Sequence, residues 1–272
     1  MGELTECRKE QLARGAMKIS THIALLIMTC SGAYESTIRA EAVDEYSQPW
    51  RKETAALIID PYEENNINWK ELSKDTRVVA IIHKATQGMK ADKKYSERRA
   101  EAKKRGYLWG SYHLGLAGNP IAQADNYLKV SEVEGDDLIA LDLEELSSKF
   151  MSLENAKIFM RHIADKTGRL PVLYANHAVT QAIIKDEKSG PFLMTSPLWY
   201  ARFLKTIPDF PKGGWKTYEI WQFSSEINCK PGKACLYRVP GTSADMDINV
   251  FNGSAQELKA KWPLTPKYSN NP

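Results

Sequence analysis

The stretch 136-DDLIALDLEELSS-148 carries the strongest indication of the fold. From Leu138 it is an apolar run of the kind found in strands that are covered on both faces. The run ends in three carboxylates, Asp142, Glu144 and Glu145. Because charges are costly at the end of a buried strand unless water, a partner or a substrate meets them, the stretch predicts a strand that delivers acids to a polar site.

The alternation of side chains along this strand places two of the acids together. Successive side chains point to opposite faces, so Asp142 and Glu144 share a face with Leu138 and Ala140. Two acids one pleat apart have Cα atoms about 6.5 Å apart, which is close enough for each to shift the pKa of the other. Two interpretations are open: a pair for acid–base chemistry, or a solvated strand end that caps the next helix.

The composition is that of a globular protein. The chain has 272 residues, of which 43% are hydrophobic and 26% charged, and an α/β barrel often reaches this length as one domain. The net charge of +3 is too small to indicate nucleic-acid binding, and no nucleic-acid motif is recognisable. The five histidines lack the spacing of metal ligands, so we expect no metal site.

Residues 1–33 predict a secretory signal. A basic start at Met17 and Lys18 leads into the apolar run 23–28 and the small residues 31–33, which is the order of a signal peptide. The segment before Met17 is an upstream extension or a long amino-terminal region. We therefore expect export to a periplasm or out of the cell, with no membrane span in the mature form.

Two cysteines remain after the predicted signal. Cys229 and Cys235 bracket the turn-like sequence KPGKA, so a disulfide across a hairpin is geometrically plausible. Such a bond persists in an oxidising compartment. The alternative is two free thiols.

Predicted strands alternate with predicted helices, which indicates a mostly parallel sheet. Strands are predicted over 55–60, 77–86, 107–115, 138–143, 169–176, 197–203, 218–225 and 245–251. Helices are predicted over 95–106, 119–133, 152–168 and 254–262. We therefore expect a linker over 34–53, one α/β barrel over 54–264 and a tail over 265–272.

Four acids are expected at one end of this barrel. Asp60 ends the first strand, Asp142 and Glu144 end a middle one, and Asp247 lies in the last. Because the active site of a β/α barrel is built at the carboxyl ends of its strands, these acids should converge on one mouth.

Aromatic residues fall on the same strands. Each alone is more often a core residue than a ligand contact, but several flat rings around carboxylates suit a sugar polymer. The candidates for substrate contact are Tyr112, His113, Tyr174, Trp199 and Trp221.

An ordered set of motifs resembles glycoside hydrolase family 25, the Chalaropsis-type lysozymes or N-acetylmuramidases. The motifs are IIDPYEENNINWKEL, HKATQG, GSYHLG, IALDLEE, PLWYARF, WQFSS and DINVFNG. The resemblance implies an irregular (β/α) barrel that needs no cofactor and cuts the β-1,4 bond between N-acetylmuramic acid and N-acetylglucosamine in peptidoglycan. It also implies that Glu144 is the proton donor, that Asp142 assists, and that Asp60 and Asp247 line the site.

Two segments depart from the family pattern. PYEENN follows Asp60 where the family usually has a small residue, and NCKPGKAC resembles an insertion before the final strand. Substrate contacts at the cleft rim are therefore expected to differ from those of the family.

Other functions remain open at this point. The D-x-E pair alone would permit hydrolysis of a related polymer such as chitin, although the family 18 pattern D-x-x-D-x-D-x-E is absent, since Ile139 and Ala140 precede Asp142. A non-catalytic protein that binds cell-wall glycan on the same scaffold is the third possibility. Asp142 has two possible roles, direct attack on the sugar or orientation of the substrate's own 2-acetamido group. No protein partner is evident.

Overall fold

A computed structural model describes residues 46–268, which contain a closed eight-stranded barrel. The strands are β1 Ala55–Ile59, β2 Val78–Gln87, β3 Lys90–Ala91, β4 Leu108–Leu114, β5 Leu138–Leu143, β6 Val172–Asn176, β7 Leu198–Ala201, β8 Ile220–Ser224 and β9 Ile248–Ser254. The order is β1-β9-β8-β7-β6-β5-β4-β2, and β1 also pairs with β2, which closes the barrel; β3 extends β2 as a hairpin. The predicted α/β barrel is confirmed.

One strand runs against the others. β9 pairs antiparallel with both β1 and β8, whereas the remaining barrel strands pair in parallel. A parallel neighbour needs a crossover connection, usually a helix. The segment 225–247 between β8 and β9 contains no helix, so β9 returns in the opposite direction. This reversal makes the barrel irregular.

Helices cover the outside of the barrel. They are α1 Trp69–Leu72, α2 Tyr95–Lys104, α3 Pro120–Ser131, α4 Leu153–Thr167, α5 His177–Lys185, α6 Gly190–Leu193 and α7 Ala255–Lys261, with a 3-10 helix at Pro49–Arg51. The four predicted helices correspond to α2, α3, α4 and α7. The sequence did not predict α5, whose first turn is capped by the side chain of Asn176.

The strands separate two apolar layers. Ile58, Ala140 and Ile220 belong to a buried cluster of alternating strand residues, which fills the barrel because the sheet closes on itself. Leu141 belongs to a second cluster with helix residues such as Phe159, which therefore lies between the sheet and the helices. The alternation predicted for β5 is confirmed.

The ends of the described chain pack on the barrel. Trp50, in the stretch interpreted as linker, is 1% exposed and stacks on Phe223 with ring centroids 3.9 Å apart. At the other end, in the predicted tail, the backbone N–H of Tyr268 donates to the Gly168 carbonyl at 2.8 Å. The predicted signal and residues 34–45 of the predicted linker lie outside the described residues.

The predicted disulfide between Cys229 and Cys235 is present in the loop that leads to β9. Among residues 46–268, none of the helices has the length and apolar character that crossing a membrane would require.

Candidate active site

A cavity of about 300 Å³ opens at the carboxyl end of the parallel strands. All four predicted acids line it. Its lining residues are Asp60, Tyr62, Lys84, Tyr112, Leu114, Asp142, Glu144, Tyr174, Trp199, Gln222, Glu226, Asp245 and Asp247. The expected convergence of strand-end acids is therefore observed.

Asp60, which directly follows β1, is the most constrained of the four acids. It is 4% exposed. Its Oδ2 accepts a hydrogen bond from Gln222 Nε2 at 2.7 Å, and its Oδ1 accepts one from Asn249 Nδ2. Two aromatic residues extend the network, because the Tyr174 hydroxyl donates to Gln222 Oε1 at 2.8 Å and Trp199 Nε1 donates to Asn249 Oδ1 at 2.6 Å. The carboxylate is thus held in a single orientation.

The carboxyl groups of Asp142 and Asp247 have fewer hydrogen-bond partners than that of Asp60. The Oδ1 atom of each is buried and has no hydrogen-bond partner among the residues that the structure describes. A buried carboxylate oxygen without a donor is costly. Both residues line the cavity, so their carboxyl groups border the space that a substrate would occupy.

Burial and mutual repulsion raise the pKa of these three aspartates. Desolvation is the largest cause for each of them. For Asp60 the charge of Asp247 adds to it, while the hydrogen bond from Asn249 acts in the opposite direction. For Asp142 the nearby charge of Glu144 raises the pKa further. Neighbouring acids in one low-dielectric site cannot all ionise at their ordinary pKa.

Glu144 lies just beyond β5, at the rim of the cavity, and its side chain is exposed. Its backbone is fixed, because Asn176 Nδ2 donates to the Glu144 carbonyl at 2.7 Å. Desolvation raises the pKa of the Glu144 carboxyl, and the charges of Glu226 and Glu145 raise it further, while Lys84 lowers it. A carboxyl with a raised pKa keeps its proton to higher pH than an ordinary glutamate does, and it can donate that proton to a leaving group.

Lys84 supplies positive charge in this acidic cavity. Its side chain extends from β2, and Nζ lies 4.2 Å from the centroid of the Tyr62 ring. Desolvation lowers its pKa, and the charges of Asp92 and Asp142 oppose that change. Lys84 therefore partly offsets the repulsion among the acids.

Three of the five predicted substrate-contact residues line the cavity: Tyr112, Tyr174 and Trp199. His113 does not, because it follows Tyr112 on β4 and points to the outer face, where its ring stacks on Phe159 with centroids 4.7 Å apart. Its role as a substrate contact was predicted wrongly.

Trp221 is the second such correction. It is fully buried in the layer between sheet and helices, and its indole Nε1 donates to the Arg202 carbonyl at 2.7 Å. The neighbouring Gln222 occupies the inward position on β8 and lines the cavity instead.

Several residues that line the cavity or, like Asn249, donate a hydrogen bond to its acids were not predicted. Lys84, Gln222 and Asn249 lie within quoted motifs, and alternation from Ile82, Ile220 and Phe251 would have placed them inside the barrel. Tyr62 and Glu226 come from loops, for which the sequence provides no comparable rule. Asp245 was placed at the start of the predicted strand 245–251, but it precedes β9, which begins at Ile248. Tyr62 lies in the PYEENN segment, which departs from the family pattern, and Glu226 lies two positions before the NCKPGKAC segment.

Comparison with known proteins identifies relatives of the same architecture. The family described as glycosyl hydrolases family 25 matches residues 59–231. Lysozyme M1 of Streptomyces globisporus is 28% identical over 215 residues, which cover 72% of this chain and 67% of that protein. The uncharacterized protein YegX of Escherichia coli strain K12 is 26% identical over 207 residues, which cover 72% and 69% of the two chains.

A solved structure gives the same result. The bacterial lysozyme from Streptomyces coelicolor superposes with a TM-score of 0.61 and 25% sequence identity, covering 77% of this chain and 97% of that one. The family match spans more than half of the 272 residues and includes the β2 and β5 motifs and the β1 motif from Ile59 onward. The chain therefore belongs to glycosyl hydrolases family 25, and it is a glycoside hydrolase.

Proposed function

We propose that this glycoside hydrolase is an exported lysozyme that cuts the β-1,4 bond between N-acetylmuramic acid and N-acetylglucosamine in peptidoglycan. The observation that carries the proposal is the joint lining of one cavity by Asp60, Asp142, Glu144 and Asp247 in a chain of this family. The relatives named as lysozymes support the choice of substrate.

Glu144 is the proton donor in this proposal. Glycoside hydrolysis passes through an oxocarbenium-like state while an acid protonates the leaving oxygen. The raised pKa of Glu144 keeps its carboxyl protonated at higher pH than an ordinary glutamate, and the rim position gives a glycan access to it.

Asp142 assists from the neighbouring inward position on the same strand. Its carboxyl group borders the cavity, where it can attack the anomeric carbon or orient the substrate's 2-acetamido group; both routes retain configuration. Asp60 and Asp247 stabilise the cationic transition state electrostatically. The hydrogen bonds to Asp60 keep its carboxylate oriented before the substrate arrives.

Tyr112 and Tyr174 form apolar surface beside these acids, and Trp199, which is 1% exposed, packs edge-on against both rings. Sugar rings present flat C–H faces, and ligand sites combine such apolar walls with a few placed polar groups. Export is consistent with the disulfide, which persists in an oxidising compartment.

The test is incubation of the full chain with purified peptidoglycan, followed by reduction and mass spectrometry of the soluble products. Fragments that end in reduced N-acetylmuramic acid are expected. Glu144→Gln should lower turnover by about 10²- to 10⁴-fold, the usual contribution of a general acid, while it retains glycan binding. Glu145→Gln is the matched control at a pH below the alkaline limb of the pH–rate profile, because Glu145 is exposed and does not line the cavity.

Other products would contradict the proposal in distinct ways. Reduced N-acetylglucosamine ends would assign the cut to the other glycosidic bond. Retained binding without any released product, from intact or chemically modified walls, would identify a non-catalytic wall-binding protein.

A further inference from the structure

The loop after β1 carries Tyr62 into the cavity wall and holds it there through several contacts. The backbone N–H of Tyr62 donates to Asn65 Oδ1 at 2.8 Å, and its hydroxyl donates to Glu64 Oε2 at 3.2 Å. Asn65 is 1% exposed and its Nδ2 also donates to the Asp245 carbonyl at 3.1 Å. The loop is therefore fixed both internally and to the segment that precedes β9.

Lys84 supports the Tyr62 ring from the neighbouring strand. Its ammonium lies 4.2 Å from the ring centroid, and its backbone N–H donates to the Pro61 carbonyl at 3.0 Å. A cation over an aromatic face contributes stabilisation that grows as the pair is desolvated. Tyr62 and Lys84 thus form one continuous part of the cavity wall.

Arg98, on α2, lies behind this wall. It is 5% exposed, yet among residues 46–268 it forms no salt bridge within 4.0 Å. Its guanidinium donates instead to two loop carbonyls, Tyr62 at 2.7 Å and Asn65 at 2.5 Å. A buried guanidinium that is compensated by main-chain oxygens requires those oxygens to stay in place.

His83 connects Arg98 to Lys84. It is fully buried, and desolvation lowers its pKa to about 3, so the ring is neutral. Its Nδ1 lies 2.7 Å from the Lys84 carbonyl and its Nε2 lies 3.0 Å from Arg98 Nη1. A carbonyl can only accept and a guanidinium can only donate. The proton therefore sits on Nδ1, and Nε2 accepts from Arg98.

We infer that Tyr62 is a sugar-contacting wall of the cleft and that Arg98, through its loop carbonyls and His83, is the positioning residue that holds it. The inference rests on the proposed function and deepens it, because the ligand is a glycan of N-acetylated sugars. Tyr62 offers an apolar ring and a hydroxyl at the cavity edge, which is the combination that binds an amphipathic pyranose. Arg98 lines no part of the cavity, so it acts through the loop carbonyls and His83 rather than on the sugar itself.

A purely structural role for Arg98 gives a different expectation. Loss of a structural residue would lower the thermal midpoint and the amount of folded protein, but the affinity of the folded fraction would not change. If Arg98 positions Tyr62, loss of Arg98 weakens glycan binding by displacing Tyr62. The effects of substituting Arg98 and Tyr62 on the affinity should then not add.

The experiment measures, by calorimetry, the affinity of the full chain for a tetrasaccharide of alternating N-acetylglucosamine and N-acetylmuramic acid. All variants carry Glu144→Gln, so that the ligand is bound but not cut. Tyr62→Ala should weaken binding about five- to tenfold, as expected for loss of an aromatic contact. Arg98→Met should weaken it in the same direction, and should add nothing in the presence of Tyr62→Ala. Arg98→Lys should also weaken it, since a lysine cannot reach both carbonyls with a planar fork.

Arg99→Met is the matched control. Arg99 is the next residue on α2, but it pairs with Glu134 and Asp137 away from the cavity, so the tetrasaccharide affinity should not change. Binding that Tyr62→Ala leaves unaltered would overturn the inference, and so would fully additive losses for Tyr62 and Arg98. Absence of tetrasaccharide binding would also overturn it, whereas muramic acid products released by the unmodified chain would still support the proposed function.

Discussion

Gln222 joins Asp60 to Tyr174. Its Nε2 donates to Asp60 Oδ2 at 2.7 Å, and its Oε1 accepts from the Tyr174 hydroxyl at 2.8 Å. One buried amide therefore orients an acid and an aromatic residue of the same cavity. Partners of this kind matter because a functional group must be held by neighbours whose own positions are fixed.

Gln222→Met should lower kcat/KM by about tenfold or more. The substitution leaves the buried Tyr174 hydroxyl without an acceptor and Asp60 with one donor fewer, which costs about 1–3 kcal/mol of folding stability. It also removes the amide that orients Asp60, and a loss of about 1.4 kcal/mol of transition-state stabilisation lowers the rate tenfold. The pKa of Asp60 should rise further, because the hydrogen bond from Gln222 lowers it. Steady-state kinetics on peptidoglycan, with thermal unfolding in parallel, would measure the effect.

Gln123→Met is the matched control for this change. Gln123 is 3% exposed and bonds to the backbone of Leu116, outside the cavity. The Gln123→Met variant should have a lower free energy of unfolding, but its folded fraction should keep the kcat/KM of the unmodified chain. Equal losses of kcat/KM for the two variants would show that Gln222 has no special relation to the site.

Glu226→Gln should move the alkaline limb of the pH–rate profile to lower pH. After desolvation, the charge of Glu226 is the largest cause that raises the pKa of Glu144. The general acid works only while it is protonated, so activity falls as pH rises through its pKa. Removing the negative charge lowers that pKa, and the loss of activity should therefore begin at lower pH.

The pH dependence of kcat/KM would measure this shift. Glu145→Gln provides a graded comparison, because Glu145 raises the pKa of Glu144 less than Glu226 does. It should move the limb in the same direction by a smaller amount. A limb that stays in place, or moves to higher pH in Glu226→Gln, would exclude Glu226 from control of this proton.

The sequence predicted those parts of the site that depend on strand geometry. Asp142 and Glu144 lie where the alternation along β5 places them, since a pleated strand allows only two directions. The same alternation places Tyr112 and His113 on opposite faces of β4. Both were nevertheless predicted as substrate contacts, and only one of them could face the cavity. Trp221 was chosen for its aromatic character, but its strand position faces the helices.

The loop residues could not be predicted in this way. Tyr62 is placed by Arg98, which lies on α2, 36 residues further along the chain. The direction of β9 likewise depends on the conformation of the segment 225–247. Such long-range contacts have no periodic pattern in the sequence.

Loss of the Cys229–Cys235 disulfide should cost stability rather than chemistry. The two cysteines are separated by six positions, and closing so short a loop contributes about 2 kcal/mol in the chain-entropy account. The turn that presents Glu226 keeps its own bonds, since the Asn228 side chain accepts from the Ser225 N–H and donates to the Phe223 carbonyl. Hydrolysis by folded protein should therefore persist.

Thermal unfolding with and without reductant would test this. The unmodified chain should lose several degrees in Tm on reduction, at about 2–4 °C per kcal/mol. The double variant Cys229→Ser with Cys235→Ser should start at the lower Tm and show no response to reductant. A large loss of turnover in the folded double variant would instead tie the disulfide to the site.

Asp247→Asn should stabilise the protein at neutral pH while it removes activity. Desolvation and the charges of Glu226 and Glu144 raise the pKa of Asp247, so the folded state binds this proton more tightly than the unfolded state does. The ionised carboxylate therefore destabilises the fold as pH rises through the folded pKa, and below about pH 4, where both states are protonated, this cost vanishes. Removing the charge should raise the free energy of unfolding at pH 7 by about 1 kcal/mol, or 2–4 °C in Tm.

The gain in Tm should shrink on acidification. Asp136→Asn is the control, because the Asp136 side chain is 83% exposed, and it should change Tm little at either pH. A destabilised Asp247→Asn at pH 7 would mean that the Asp247 carboxylate forms favourable contacts that outweigh its desolvation and the repulsion from its neighbours.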